Sequence, residues 1–376
     1  MRERRLARFA MLAVILGASG SALAQAPRFP PAAVWHQPIV GTPLNPQSAT
    51  MINRLVALGG WGNGNRMQID FGLHFRRMAP GEIAPELPII EHLDVDGQPD
   101  GYYAPDCEPV GTLMPVPANA AIEAQNGQTC PNSDQDCHLL VQRGNQLFEV
   151  FAANIINGQI NALCLAVWDL SRVYPGEGRG EHCTSADAAG FPIAALAPNA
   201  DDVAAAAMTS GDLGHAIRFI LPNVRMASDI ALGGVQGRLY VRPATHAGGP
   251  NGPADSVPYG ARMRLRSDFN FTGYNAAAQV ILRTMQRYGI VLSDGGSIAL
   301  TFSSDRHSTA TWSSLGVTPQ IFWSGSMGNR TPILVSDFAI IDTGPRIGET
   351  FDCVRTPKAP GATIFRNGFE PSLAVH

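Results

Sequence analysis

The chain has 376 residues, with 27 basic against 31 acidic side chains. That balance argues against a nucleic-acid protein, which needs a basic face, and no polybasic run serves an anionic membrane surface. Lys358 is the only lysine. The many arginines therefore read as nucleotide bias in a GC-rich bacterial genome and carry no functional weight.

Residues 1–24 have the layout of a secretory signal peptide. Arg2, Arg4, Arg5 and Arg8 make a basic start, residues 9–18 form a short apolar core, and Ala22-Leu23-Ala24 supplies the small-x-small cleavage pattern. A transmembrane helix needs roughly 20 apolar residues, about twice this run. Cleavage after Ala24 leaves 23 basic and 30 acidic residues, a formal charge of −7. No later stretch is apolar enough to span a bilayer, so no membrane insertion is expected. The expected destination is extracellular, with the periplasm as alternative. Residues 25–33, rich in Pro and Ala, read as an N-terminal extension, 34–354 as a single β-rich domain, and 355–376 as a C-terminal tail.

In chain order, Ser48 is placed to cap a helix with Met51, Ile52, Leu55 and Val56 on one face and Gly59-Gly60 ending it. Residues 138–155 read as a hairpin: HLLVQ, a turn at Arg143-Gly144-Asn145, then QLFEVFAANI, where Leu147, Glu149 and Phe151 alternate with Phe148 and Val150. Short strands are expected at 215–221, 238–242, 261–271, 297–302 and 338–342. A second helix runs from about Asn275 to Tyr288, with Val280, Ile281, Met285 and Tyr288 as a buried stripe and Gly289 as its C-cap. The regular short strands favour a mainly β fold, an antiparallel, jelly-roll-like β-sandwich with two or three packed helices.

Six cysteines follow the signal, at 107, 130, 137, 164, 183 and 353. An even count in an exported chain without a C-x-x-C pair points to two or three disulfides, although spacing leaves fifteen pairings open. The expected arrangement joins Cys164 to Cys183 and Cys130 to Cys107 or Cys137, with Cys353 tying the C-terminal region back.

The sequence lacks H-E-x-x-H, G-x-S-x-G, G-x-x-x-x-G-K-[ST] and a helix-opening G-x-G-x-x-G, which removes support for the commonest zinc-protease, serine-hydrolase and nucleotide chemistries. Several polar residues nevertheless stand where a bland core does not put them. Asp136-Cys137-His138 opens the hairpin, Glu149 lies inside its apolar second strand, Asp187 is the one carboxylate of the turn SADAAG, and His215 and His246 flank apolar strands. Three histidines and a carboxylate are also a ligand set for a metal, but no short ligand spacing supports one. No cofactor is expected.

Taken jointly, SADAAGFPI (185–193), HAIRF (215–219), PANAAIEA (117–124), HLLV with LFEVF, VRPATH (241–246), the run ARMRLRSDFNFTGYNAAAQVILRTMQRYGIVLSDGGS (261–297) and SDFAIIDTG (336–344) resemble an uncharacterised family of secreted bacterial β-rich proteins. That family carries H-V-L-V with L-Y-E, S-A-D-A-A-G-L-P-I, H-A-L-R-F and Y-G-M-I-x-A-D-N-G-S in the same order. The resemblance covers nearly the whole mature chain. It implies that Glu123, His138, Glu149, Asp187, His215, His246 and Asp294 stand at motif positions, and it names no activity. Two departures stand out: the family's N-P-W-N is Val34-Trp35-His36-Gln37 here, and Gly295-Gly296 replaces Asn-Gly. The segment Ile364–Glu370 resembles the I-F-x-x-G-F-E tail of exported gammaproteobacterial proteins, which implies a processing or sorting element outside the fold.

Export, a β-rich fold and polar residues set in apolar strands lead to a secreted carbohydrate-active enzyme, a glycoside hydrolase or polysaccharide lyase, acting as a monomer on a polysaccharide. In a hydrolase, two of Glu123, Glu149, Asp187 and Asp294 serve as acid and base. In a lyase, His138, His215 or His246 removes the proton α to a uronate carboxyl. The competing reading is a non-catalytic glycan-binding or envelope-associated protein that stacks ligands on Trp61, Trp168, Trp312 and Trp323. A third, a peptidase or esterase, requires Ser185 or another serine beside one of these histidines. A deep cleft with clustered carboxylates favours an enzyme, and a flat aromatic strip favours binding.

Overall fold

A computed structural model describes residues 26–94, 96–131, 136–323 and 330–355. The expected signal peptide and the tail segment Ile364–Glu370 lie outside the described residues. Strand outweighs helix, so the fold is mainly β, with several sheets.

The largest sheet has six strands in the order Ile69–Leu73, Leu300–Ser303, Ile217–Leu221, Ile290–Gly295, Arg262–Leu265 and Phe338–Ile340. Ile69–Leu73 runs parallel to Leu300–Ser303, and Ile217–Leu221 parallel to Ile290–Gly295; the remaining contacts are antiparallel. Parallel pairing also joins Phe75–Arg77 to Leu139–Arg143 and Glu86–Leu93 to Gln159–Ala162. The sheets are thus mixed, where antiparallel pairing was expected throughout. The reason is visible in Ile217–Leu221 and Ile290–Gly295, whose apolar runs are buried almost end to end.

The hairpin forms as expected, with a tighter turn. Leu139–Arg143 pairs antiparallel with Gln146–Phe151, Arg143 opposite Gln146, so Gly144-Asn145 alone makes the turn. Cys164–Asp169 adds on the far side and Phe75–Arg77 on the near side. One face of this four-stranded sheet, with Leu140, Leu147 and Trp168, joins the main hydrophobic core. The other, with Leu139, Val141, Phe148 and Val150, packs on a second cluster around Ile89, Met114 and Ile160.

The two expected helices are Ser48–Ala57 and Ala276–Arg287. Met51, Ile52 and Leu55 are buried as the stripe requires, but Val56 faces solvent. Ser48 does not cap its helix; its hydroxyl accepts from the Ile340 amide at 2.8 Å, pinning the helix to the sheet edge. In the second helix Asn275 caps the Ala278 amide at 2.8 Å. Gly289 ends it at φ +75, where a Cβ would lie 2.5 Å from the Met263 carbonyl oxygen. A further helix, Ala200–Met208, is capped by Asn199 and carries Asp201 and Asp202 in its first turn. Its alanine run has too little apolar contrast to announce itself in the sequence. No helix among the described residues is long and apolar enough to cross a membrane.

Three disulfides close the fold: Cys107–Cys164, Cys130–Cys137 and Cys183–Cys353. The second matches one expected alternative, and Cys353 ties the C-terminal region back as expected. The expected Cys164–Cys183 bridge is not formed. Cys164 opens an edge strand beside Cys107, whereas Cys183 lies where the strand Val354–Arg355 pairs with Gly180–Glu181.

Candidate active-site cleft

Where the six-stranded sheet meets the hairpin sheet, a cavity of about 740 Å³ opens. Its floor is built by one face of the large sheet. Asp70 is opposite Thr301 in the ladder and Ile220 opposite Asp294, so Asp70, Thr301, Arg218 and Asp294 reach the cavity from four neighbouring strands. On Ile217–Leu221 the alternation is strict: Ile217, Phe219 and Leu221 enter the core, while Arg218 and Ile220 line the cavity. Glu123, His138 and Phe151 make one wall and the 184–188 loop another; Tyr103 and Phe351 stand at the opening, each 42% exposed.

The 184–188 loop is held by its own polar groups. Asp187 Oδ1 accepts from the Ala189 amide at 3.1 Å, and Ser185 Oγ accepts from the Asp187 amide at 3.0 Å. Gly190 has φ +79, and a Cβ there would lie 2.1 Å from Thr245 Oγ1. Phe351 adopts φ +60, unusual for a non-glycine residue. Its amide donates to Glu349 Oε1 at 2.8 Å, and the Cys183–Cys353 bridge fixes the chain two residues on.

Two charge groupings set the electrostatics. In the first, Arg218 Nη2 lies 2.8 Å from Asp187 Oδ2 and 3.8 Å from Asp294 Oδ2, while Nη1 donates to Thr301. One guanidinium thus faces two carboxylates. Burial and the neighbouring Asp187 charge push the Asp294 carboxyl up to about 7. Burial also raises Asp187, opposed by the closer Arg218. Of the two raised carboxyls, Asp294 is the one farther from the cation, so Arg218 opposes its protonation less. The Asp187 side chain is sealed, whereas Asp294 keeps 27% of its side chain accessible.

In the second grouping, His138 Nδ1 lies 2.6 Å from Glu123 Oε2 and Nε2 lies 3.0 Å from the Ala186 carbonyl. Both nitrogens face acceptors, so both carry protons. Burial alone would lower this imidazole, but Glu123's charge and hydrogen bond outweigh it and carry the ring up to about 9. Glu123, raised by burial, ends below its ordinary value because His138 and Arg218 favour its anion. Burial, and next the Glu123 charge, raise nearby Asp70.

Of the seven sequence-nominated residues, the cavity gathers five: Glu123, His138, Asp187, His246 and Asp294. His246 is held near 4 by burial and gives Nδ1 to the Ala188 carbonyl at 2.7 Å, leaving Nε2 as a neutral ring nitrogen with a free lone pair. Glu149 and His215 lie elsewhere. Glu149 is fully buried and takes three donors, from the Ile193 and Ala194 amides and Trp168 Nε1 at 2.8–3.0 Å. His215 is buried beside His36, bonds the Ala216 carbonyl, and is driven to about 3 by burial.

Ser185 gives its hydroxyl to the Phe191 carbonyl at 2.7 Å, so it is not poised against a histidine. Ser304 does bond His74 Nδ1 at 2.6 Å, but neither residue lines the cavity. Trp61, Trp168 and Trp312 are buried in the core, so they form no exposed strip. Among the described residues, Asp106 with Cys183 and Cys353 is the group of potential metal ligands within 4.8 Å, but its two sulfurs are bonded to each other.

Residues not nominated from sequence include Asp70, Arg218, Arg238, Thr301, Tyr103 and Phe351. Arg218 had a readable signal: a buried charge inside the otherwise apolar run AIRFIL is tolerated only when paired. The other five carry no such mark, because their meeting depends on which strands become neighbours. Compared with family models, curated proteins and solved structures, the chain matches none.

Proposed function

We propose that the protein is an exported glycoside hydrolase whose site is this cleft, and that it belongs with the secreted bacterial proteins whose motifs it shares. The observation that carries the reading is the pairing, in one cavity, of a carboxyl protonated up to about pH 7, Asp294, with a carboxylate kept ionised, Glu123. Environments that drive two carboxyls apart in this way assign acid and base. Three disulfides fit an oxidising destination, the extracellular space or the periplasm.

Asp294 gives its proton to the glycosidic oxygen as the bond from that oxygen to the anomeric carbon breaks. Glu123 takes a proton from water as the water oxygen adds to that carbon, so the net change is addition of water across the link. Glu123 has one oxygen engaged by His138 and the other free for this work. Arg218 favours the Asp187 anion against the effect of burial, and burial with the Asp187 charge raises Asp294. Tyr103 and Phe351 offer ring faces at the opening for the apolar faces of sugar units.

The lyase alternative draws less support. Of its three candidate bases, His138 carries both protons and His215 lies off the cavity, leaving His246. Six acidic side chains, Asp70, Asp106, Glu123, Asp136, Asp187 and the protonated Asp294, line the cleft against Arg218, Arg238 and the His138 imidazolium. That excess disfavours a uronate chain.

The test is incubation of the mature protein with plant and microbial polysaccharides, following reducing ends and the absorbance of unsaturated uronates. New reducing ends without unsaturation support hydrolysis. Retention of glycan with no product replaces the enzyme reading with the binding one.

A further inference from the structure

We infer that the cleft takes a cationic saccharide, a chain of hexosamines whose amino groups are free and protonated, in preference to neutral or uronate-bearing glycans. This rests on the saccharide reading above and names its substrate class.

The charges that remain after internal pairing decide the matter. Arg218 is engaged by Asp187 and Asp294, and the His138 imidazolium by Glu123. Among the described residues, Asp70, Asp106 and Asp136 form no ion pair, although each lines the cavity. Arg238 lies against the Phe351 ring and is the one cavity cation left over among the described residues. Three unpaired carboxylates against one guanidinium make a cleft that attracts positive charge.

The spacing of those carboxylates argues for a distributed cation rather than one ion. Among the described residues, no three carboxylate or imidazole ligand atoms of the cleft converge within 4.8 Å, the only such group being Asp106 with the disulfide sulfurs. Instead Asp70 stands on the sheet floor, Asp106 on the loop after Tyr103, and Asp136 at the exposed entrance to the hairpin. A polymer carrying one ammonium per sugar unit meets such a spread. Tyr103, 42% exposed, adds a ring that serves both a pyranose and an adjacent ammonium.

The experiment is titration calorimetry near pH 6 and at low salt, using full mature chain carrying Asp294→Asn to stop turnover. The probes are the hexamers of glucosamine, N-acetylglucosamine, glucose in β-1,4 linkage, and galacturonate. The glucosamine hexamer is expected to bind at least about tenfold tighter than its acetylated counterpart. That gap should shrink in high salt and on adding Asp136→Asn, an exposed position whose change leaves the core untouched. Equal affinity for cationic and neutral hexamers overturns the inference while leaving the saccharide reading in place. Tightest binding of galacturonate overturns it in favour of a uronate site. Binding of no hexamer overturns both.

Discussion

His138 donates through Nδ1 to Glu123 at 2.6 Å, and its second nitrogen also faces an acceptor, the Ala186 carbonyl. The ring is therefore a fixed cation rather than a base, and its work is to hold Glu123 ionised. Replacing it by Asn leaves Glu123 without its cation. The expected loss is about 3 kcal/mol near pH 6, measured by urea unfolding, as for other broken buried pairs. The folded ring titrates at about 9, above its ordinary 6.5. Its contribution is thus complete below pH 6.5 and lost as pH rises through about 9. The gap between wild type and H138N should accordingly narrow at pH 10; a gap that stays constant contradicts the charged-ring assignment.

Glu149 collects three N–H donors in the core and holds the Ile193-Ala194 segment against the hairpin sheet. Glu149→Leu strands those donors, each costing about 1–3 kcal/mol when unsatisfied. We expect a clear fall in unfolding midpoint with no change in kcat of the protein that remains folded. A selective loss of kcat at unchanged stability would put Glu149 in the chemistry instead.

The bridge Cys183–Cys353 spans 170 residues and anchors the segment that presents Phe351. Replacing both cysteines by Ala is expected to cost about 5 kcal/mol on the chain-entropy account. Weaker saccharide binding should accompany it, because Phe351 sits two residues from the lost anchor. Calorimetric unfolding together with ligand titration measures both, and unaltered binding would show that the ring is not part of the site.

Activity should decline on the alkaline side as Asp294 loses its proton. With its carboxyl at about 7, kcat/KM is expected to fall above that pH by about tenfold per unit. A profile flat to pH 9 removes Asp294 from the acid's role.

Much of the secondary structure was legible in the sequence, and little of its assembly. The hairpin at Leu139–Phe151 and the helix Ala276–Arg287 follow from local periodicity and from Asn275 and Gly289 at the ends. The parallel neighbours of Ile217–Leu221 do not, since a continuous apolar run records burial on both faces but not which strand lies alongside. The site divides the same way. Glu123, His138, Asp187, His246 and Asp294 stand out through motif or context, whereas Asp70 and Thr301 acquire meaning only when Ile69–Leu73 and Leu300–Ser303 become neighbours. His215 and Glu149 show the converse. Polar residues in apolar strands mark buried polar groups in general, and these two serve the core.

The assignment of Asp294 as proton donor is tested most directly by Asp294→Asn assayed on two substrates, an unactivated glycan and an aryl glycoside whose leaving group needs no proton. The variant should lose about 100- to 10,000-fold on the glycan while cleaving the aryl glycoside at close to the wild-type rate of bond breaking. Equal losses on both substrates, or wild-type activity on the glycan, would contradict it.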